Sequence, residues 1–385
     1  MAHRLTLAPL PIETDSVVFD ITRLYRNRLS AFGTGIDRID LAIGLELSGR
    51  FGDACRFVHV CYGGFAEMKG DHARALLRAL DQRWHEGAGQ GGATLWAPLA
   101  LDRVRAALGR RFGDAATYVV ASHSGLPQRD GYLDRFDPGR RMRRLAYIHD
   151  LIPLDYPEYQ TPRSRAIFRR YLAELAKGPV SFAVNSADTG ARLAAYAAAQ
   201  GWKTAPPVAA IPQLEAGADV GAPLPASLAP VFAKGPVFTV LGTIEPRKNH
   251  LLLLTLWRQM AEAGEAPQLL VIGKRGWMND NIVALLDDCA AIQPYVTEAN
   301  DLTDGEIAAV LKASRAMLFP SFAEGLGIPM LEANAAGLPV IASDLPALRE
   351  IAAPGAVFLN PLDGPGWRAA ILAASIPETR SADAR

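Results

Sequence analysis

The chain is poor in the features that would take it out of the globular class. Its three cysteines, Cys55, Cys61 and Cys289, are odd in number and lack CxxC spacing, so neither a disulfide framework nor a structural zinc site is indicated. A reducing cytoplasm suits such a chain. No run approaches the roughly eighteen uninterrupted apolar residues of a membrane span, and the segment from Met1 to Pro11 has no apolar core long enough for a signal peptide. The expectation is a soluble cytoplasmic protein, or one that lies peripherally on the inner face of the membrane. Net charge is also absent, with 40 Lys and Arg against 40 Asp and Glu. The balance hides a polarity: residues 1–200 hold 27 basic against 21 acidic residues, and residues 201–385 hold 13 against 19. Such a dipole orients beside an anionic surface and argues against a nucleic-acid footprint along the whole chain.

What is present points to two cores. Half of the 385 residues are hydrophobic and 21% are charged, which excludes disorder, and the length exceeds what one core usually spans. Apolar runs at Val17–Asp20, Phe57–Val60, Tyr118–Ala121, Leu145–Ile148 and Ser181–Val184 read as buried strands. Helical periodicity at 36–48, 71–84, 101–109, 164–177 and 187–199 lies between them. The same alternation resumes at Val237–Leu241, Gln268–Ile272, Ala316–Phe319, Val340–Ala342 and Ala356–Leu359. Strands alternating with helices predict α/β architecture with parallel sheets covered on both faces. Prolines 206, 207, 212, 223, 225 and 230 are expected to keep the stretch between the halves irregular. The predicted organisation is therefore a first Rossmann-like domain over 1–205, a linker over 206–235 and a second Rossmann-like domain over 236–385. Two doubly wound domains place a ligand in the cleft between them, beyond the carboxyl ends of the strands.

The densest chemistry lies in Ser321-Phe-Ala-Glu324-Gly325-Leu326-Gly327-Ile-Pro329-Met-Leu-Glu332. Its glycines permit a tight loop after a strand, Pro329 suits a first helical turn, and Gly337 suits the position past the helix end. Amides at such a helix start bind phosphate, while Glu324 and Glu332 can accept hydrogen bonds from sugar hydroxyls. With Phe-Pro-Ser before it and Gly-Leu-Pro-Val-Ile-Ala-Ser after it, this Glu-x7-Glu string resembles the nucleotide-binding domain of retaining family-4 glycosyltransferases, which have the GT-B fold. Leu241-Gly-Thr243-Ile-Glu-Pro-Arg247-Lys248-Asn249 resembles that family's diphosphate loop, and Val271-Ile-Gly273-Lys274-Arg-Gly276-Trp277 its next glycine loop. Many members carry arginine directly after the loop glycine where this chain has Thr243, so the phosphate work is assigned to Arg247 and Lys248, whose charge suits a departing diphosphate.

The resemblance extends to the first half. His149, at the end of a strand in Ile-His149-Asp150-Leu-Ile-Pro, is expected to bond the transferred sugar, with Asp150 orienting it or the acceptor. Gly35, in Thr34-Gly35-Ile36-Asp37-Arg38, resembles the glycine loop that approaches the donor phosphates. Asp37 would be unfavourable there unless paired with Arg38 or turned away. His123 is a further acceptor-side candidate, and Asn185-Ser186 reads as a helix cap. Arginines 140, 141, 143, 144, 163, 165, 169 and 170 form two basic clusters. The second shares a helix with Ile167, Phe168, Leu172 and Leu175, a pattern that fits either a membrane-surface helix reaching a lipid-linked acceptor or an ordinary surface helix packed on its sheet. Family members usually continue with a final helix that crosses back onto the first domain; the segment after Trp367 departs from that pattern.

The resemblance thus implies a GT-B protein of two facing Rossmann-like domains that moves a hexose from a nucleoside-diphosphate sugar to a glycan or lipid-linked hydroxyl, with retention. The Glu-Pro-Arg-Lys-Asn and His-Asp-Leu-Ile-Pro variants look most like bacterial mannosyltransferases of surface-polysaccharide assembly, which makes GDP-mannose the leading donor, with other GDP- and UDP-sugars open. No Asp-x-Asp occurs in the chain, consistent with metal-free chemistry and no cofactor. The rival readings are a nucleotide-sugar epimerase of similar fold and a catalytically silent nucleotide-sugar-binding or scaffold protein.

Overall fold

Apolar strands that must be covered on both faces, and helices that can cover them, assemble into two units, Met1–Asp219 and Val220–Arg385. The structure is a computed structural model that describes residues 4–30, 32–61, 64–86, 115–122, 130–135, 137, 142–214 and 222–376. The expected helix at 101–109 lies outside the described residues.

The first unit runs β1 (Leu5–Thr6), β2 (Ser16–Asp20), α1 (Thr22–Arg26), α2 (Gly35–Phe51), β3 (Cys55–Cys61), β4 (Gly64–Met68) and α3 (Gly70–Glu86). It continues through β5 (Ala116–Val120), β6 (Arg143–Ile148), α4 (Ile152–Asp155), α5 (Pro162–Ala176), β7 (Val180–Val184), α6 (Ala187–Ala199), β8 (Val208–Ala209) and β9 (Gln213–Leu214). Seven strands form one sheet in the order β4-β3-β2-β5-β6-β7-β8, parallel except for β4, which pairs antiparallel with β3. Val18, Tyr118, Val120, Ala146, Ile148 and Phe182 share one core with Phe168, Leu172 and Leu175 of α5. Of the two readings of this helix, the contact matches a helix packed on its sheet: the apolar residues of α5 pack inward, and Arg170 pairs with Asp130 at 2.9 Å. What α5 offers outward is charge, from Arg163 and Arg169.

The second unit runs α7 (Ala229–Phe232), β10 (Val237–Leu241), α8 (His250–Glu262), β11 (Gln268–Ile272), α9 (Asp280–Asp288), β12 (Val296–Ala299), α10 (Asp304–Ala313) and β13 (Ala316–Phe319). It closes with α11 (Ile328–Ala335), β14 (Val340–Ser343), α12 (Pro346–Ile351), β15 (Val357–Leu359) and α13 (Gly364–Ser375). All six strands are parallel, in the order β12-β11-β10-β13-β14-β15. This is a doubly wound sheet whose strand order reverses between β10 and β13.

The stretch 206–235 is less irregular than its prolines predict, since β8, β9 and α7 all lie in it. Its prolines sit where they cost no ladder bond: Pro206 and Pro207 precede β8, Pro212 precedes β9, and Pro230 occupies the first turn of α7. Among the described residues, no helix is long and apolar enough to cross a membrane.

Helix α13 packs within its own unit, where Trp367 and Ile371 are fully buried beside Phe238, Leu253 and Trp257. The Trp367 indole also donates to the Asn360 carbonyl at 3.0 Å. Trp367→Ala should therefore cost about 3–5 kcal/mol by leaving a large cavity, measured by denaturant unfolding.

Candidate functional site

At the reversal between β10 and β13 the helices that follow the two strands cover opposite faces of the sheet, so the two strand-end loops diverge and leave a crevice. The β10 loop ends in Asn249, whose left-handed backbone (φ 56) turns the chain into α8. Asn249 does not cap that helix. Its side-chain amide donates instead to the carbonyls of Pro320 (3.1 Å) and Pro361 (3.0 Å), tying the β10 and β13 loops together. The β13 loop ends in Gly327 (φ 95), where an added Cβ would lie 2.5 Å from Leu348. Both α8 and α11 thus begin at the crevice without a side-chain cap, and uncapped helix amides favour an anion.

Four charges occupy this point. Lys248 Nζ donates to Glu324 Oε1 at 2.6 Å and lies 4.9 Å over the Phe319 ring. Arg247 lies 3.1 Å from the other Glu324 oxygen, donates to the Ala323 carbonyl at 2.6 Å and reaches Glu245 Oε1 at 2.7 Å. All four side chains are at most 14% exposed. Burial opposes the charge on Glu324, yet Arg247 and Lys248 outweigh it and hold the carboxyl down to about 2. Burial lowers the Lys248 ammonium from its ordinary value, and Glu324 only partly restores it. Two carboxylates and two cations leave the cluster formally neutral. Beside it His250 is 1% exposed, and burial followed by the Lys248 charge pushes its pKa down to about 4, with the Glu245 backbone only partly opposing them.

The remaining donor-side candidates are spread over both units. Gly325 and Leu326 are buried within the β13 loop and Glu332 is half-buried on α11. Thr243 lies in the β10 loop, and Gly273 crosses it so closely that an added Cβ would sit 1.9 Å from the Gly242 carbonyl oxygen. Lys274 is exposed on the loop after β11. Gly35 is the first residue of α2 in the first unit. The structure brings Arg247, Lys248 and Glu324 into direct contact.

In the first unit the loops after β2, β5 and β6 converge on a second charged cluster. Asp37 pairs with Arg23 at 2.5 Å, accepts from Asn27 and closes a capping box with Thr34. The expected partner Arg38 instead donates to the Gly33 carbonyl. Burial would raise the Asp37 carboxyl, but Arg23 and the bonds from Thr34 keep it below the usual range. His149 Nε2 lies 2.6 Å from the Ala121 carbonyl and 3.3 Å from Asp40 Oδ1. Two acceptors at one nitrogen assign the hydrogen to Nε2, so Nδ1 is the atom His149 has left for a ligand; it is buried and unbonded. Burial pushes the Asp40 carboxyl up, and His149 and Arg23 only partly reverse this. Asp150 accepts from the Ile152 amide at 3.0 Å, and Ser186 caps α6 through the Thr189 amide. His123, Arg140 and Arg141 lie outside the described residues. Among the described residues, no group of three or more His, Cys, Asp or Glu could hold a metal ion.

Sequence reasoning gave no role to Glu245, Asp40, Arg23 or His250. Glu245 and His250 flank the quoted Arg247-Lys248 pair, so proximity in the string was a usable signal. Asp40 stands 109 positions from His149 and carries no such signal.

Residues 229–362 match the family of glycosyl transferases group 1. The chain is 29% identical over 214 residues to the serotype-specific mannosyltransferase WbdA of Escherichia coli, covering 53% of this chain and 26% of WbdA. It is 31% identical over 124 residues to O-antigen chain mannosyltransferase B of Escherichia coli, covering 32% of each. The chain thus spans about a third or less of the length of these curated relatives. Among solved structures it shares its fold with Anabaena HepE, solved with UDP and glucose, at a TM-score of 0.59 and 14% identity over 94% of this chain and 90% of HepE.

The buried charges predict how stability depends on pH. Both His250 and Glu324 have folded-state pKa values below their ordinary 6.5 and 4.5, so the unfolded chain binds protons first. Stability should fall from pH 6.5 towards about 4 through His250, and from pH 4.5 towards about 2 through Glu324. In thermal melts against pH, His250→Leu should flatten the upper window and Glu324→Gln the lower.

Proposed function

Residues 229–362 are a glycosyl transferases group 1 domain on a GT-B scaffold, and from that premise we propose that the chain is a retaining, metal-independent hexosyltransferase. Its donor is GDP-mannose, and its acceptor is a hydroxyl of a glycan or lipid-linked saccharide. The donor is held mostly by the second unit and the acceptor mostly by the first. The observation that carries the reading is the Arg247–Lys248–Glu324 cluster at the strand-order reversal. Mannose as the transferred sugar is supported by the names of the relatives, both mannosyltransferases.

Glu324 holds both cations. The donor diphosphate competes for them with a greater negative charge, and Glu324, once released, accepts hydrogen bonds from sugar hydroxyls, as does Glu332. The bond from the anomeric carbon to the phosphate oxygen then breaks, with Arg247, Lys248 and the first amides of α8 and α11 stabilising the charge that develops on the diphosphate. The acceptor oxygen bonds to the anomeric carbon on the same face, and its proton passes to the departing phosphate. His149, oriented by Ala121 and Asp40, bonds the transferred sugar through Nδ1. Arg247 and Lys248 supply the compensating charge, so the proposed step requires no metal or cofactor.

Turnover of GDP-mannose with mannose-terminated acceptors tests this directly. Glu324→Ala should abolish transfer with the fold retained, and Lys248→Ala should weaken GDP binding at least about tenfold by calorimetry, the loss of one charge-assisted contact. Activity should survive EDTA; loss in chelator with rescue by a divalent ion would show that a metal is needed.

Location at an anionic membrane surface is part of the proposal, through charge alone. Neutralising Arg163, Arg165 and Arg169 should then reduce binding to anionic vesicles at low salt and change nothing at high salt.

A further inference from the structure

We propose that Asn185 joins His149 in a hydroxyl-reading pair and binds a sugar hydroxyl beside the one that His149 contacts, a role that rests on the reading of His149 above. Asn185 follows β7 and reads in the sequence as part of a helix cap, yet the cap of α6 is Ser186. What is left is a carboxamide only 4% exposed, whose Oδ1 is buried and accepts no hydrogen bond. A buried carbonyl oxygen without a donor costs free energy that an apolar residue of the same size would not. Asn185 is thus poor material for a core and good material for a ligand contact.

The sheet fixes where it stands. Val184 pairs with Ile148 in the parallel ladder of β7 and β6, so Asn185 and His149 are level at the carboxyl ends of their strands, one strand spacing of about 5 Å apart. Val184 and Ile148 both face the core shared with α5. Side chains alternate along a strand, so the residues that follow them turn to the opposite face. Tyr147 marks that face. Its ring centroid lies 5.2 Å from that of His149, edge to face, and its hydroxyl reaches over β7 to donate to the Ala210 carbonyl at 2.8 Å. Asn185 and His149 therefore share one face of the sheet and one end of it.

The chemistry of the pair selects its ligand. With its hydrogen on Nε2, His149 presents Nδ1 as an acceptor, and Asn185 presents Oδ1 as a second; both atoms are buried and unbonded. Two neighbouring acceptors take two O–H donors, which adjacent hydroxyls of one sugar supply. An ionised phosphate or carboxylate offers acceptors only and is turned away. The hydroxyls belong either to the transferred hexose or to the acceptor saccharide, and the role assigned to His149 makes the hexose the expected source.

The test compares the whole chain with Asn185→Ala and Asn185→Asp, using GDP, GDP-mannose, the monodeoxy analogues of GDP-mannose and monodeoxy mannoside acceptors. Asn185→Ala should lower kcat/KM about two- to tenfold, the loss of one neutral hydrogen bond, with GDP affinity by calorimetry unchanged and the melting temperature unchanged or higher. The analogue that lacks the bonded hydroxyl should react poorly with the wild type and lose nothing further in Asn185→Ala, while every other analogue loses the same factor. Asn185→Asp, which keeps an acceptor oxygen in the same place, should retain that discrimination. Finding the indifferent analogue among the donors assigns the hydroxyl to the hexose, and among the acceptors to the acceptor. Equal losses for all analogues, or a fall in GDP affinity and melting temperature together, would overturn the hydroxyl contact and leave the donor-site reading standing. If the wild-type chain binds neither GDP nor GDP-mannose at millimolar concentration, both fall together.

Discussion

Two carboxylates and two cations, buried side by side where the strand order of the second unit reverses, are the constraint on which the rest of that unit depends. Glu245, Arg247, Lys248 and Glu324 come from loops about 76 positions apart and meet only because β10 and β13 are adjacent in the sheet. Charges taken out of water are tolerated when every one is paired, and removing a single partner strands the others. The cluster therefore locks the two loops in one arrangement, and Asn249 adds a neutral tie between the same loops. In the proposed reaction the donor phosphate enters this neutral site by exchange, replacing the carboxylate.

The first unit solves a similar problem with different residues. Asp37 at the start of α2 is held by Arg23 from α1, and Asp40 one turn later meets His149 beyond β6. In the capping box that starts α2 both Asp37 oxygens are taken, one by Arg23 and Asn27 and the other by Thr34. These side chains thus start one helix, neutralise a buried acid and, with the Ala121 carbonyl, set the tautomer of His149. Each unit places its charged cluster at the carboxyl ends of its parallel strands, where helix amides and divergent loops make room for polar groups.

Much of this was legible beforehand, and unevenly. Val237–Leu241, Gln268–Ile272 and Ala316–Phe319 coincide with β10, β11 and β13, and 187–199 coincides with α6. Central parallel strands are continuous apolar runs, so composition alone marks them. Strands β4 and β12 escaped notice because they lie at sheet edges, and the residues of β12 are only half-buried. In α5 the period was legible and the destination was open between a membrane surface and the helix's own sheet: Phe168, Leu172 and Leu175 face the core of their own unit. Periodicity says that a helix has an apolar face without saying what covers it.

The sequence by itself determined the architecture, the glycine-bounded loops and the identity of the charged residues beside them, because strand composition, helix caps and tight turns are local properties of neighbouring residues. The family resemblance of the strings around them singled out Arg247, Lys248, Glu324 and His149. Only the tertiary structure decided the partners: Glu324 for both cations, Glu245 behind Arg247, Arg23 rather than Arg38 for Asp37, and Asp40 for His149. Those pairings depend on which strands become neighbours in the sheet, and contacts between residues 76 or 109 positions apart leave no trace in any local pattern.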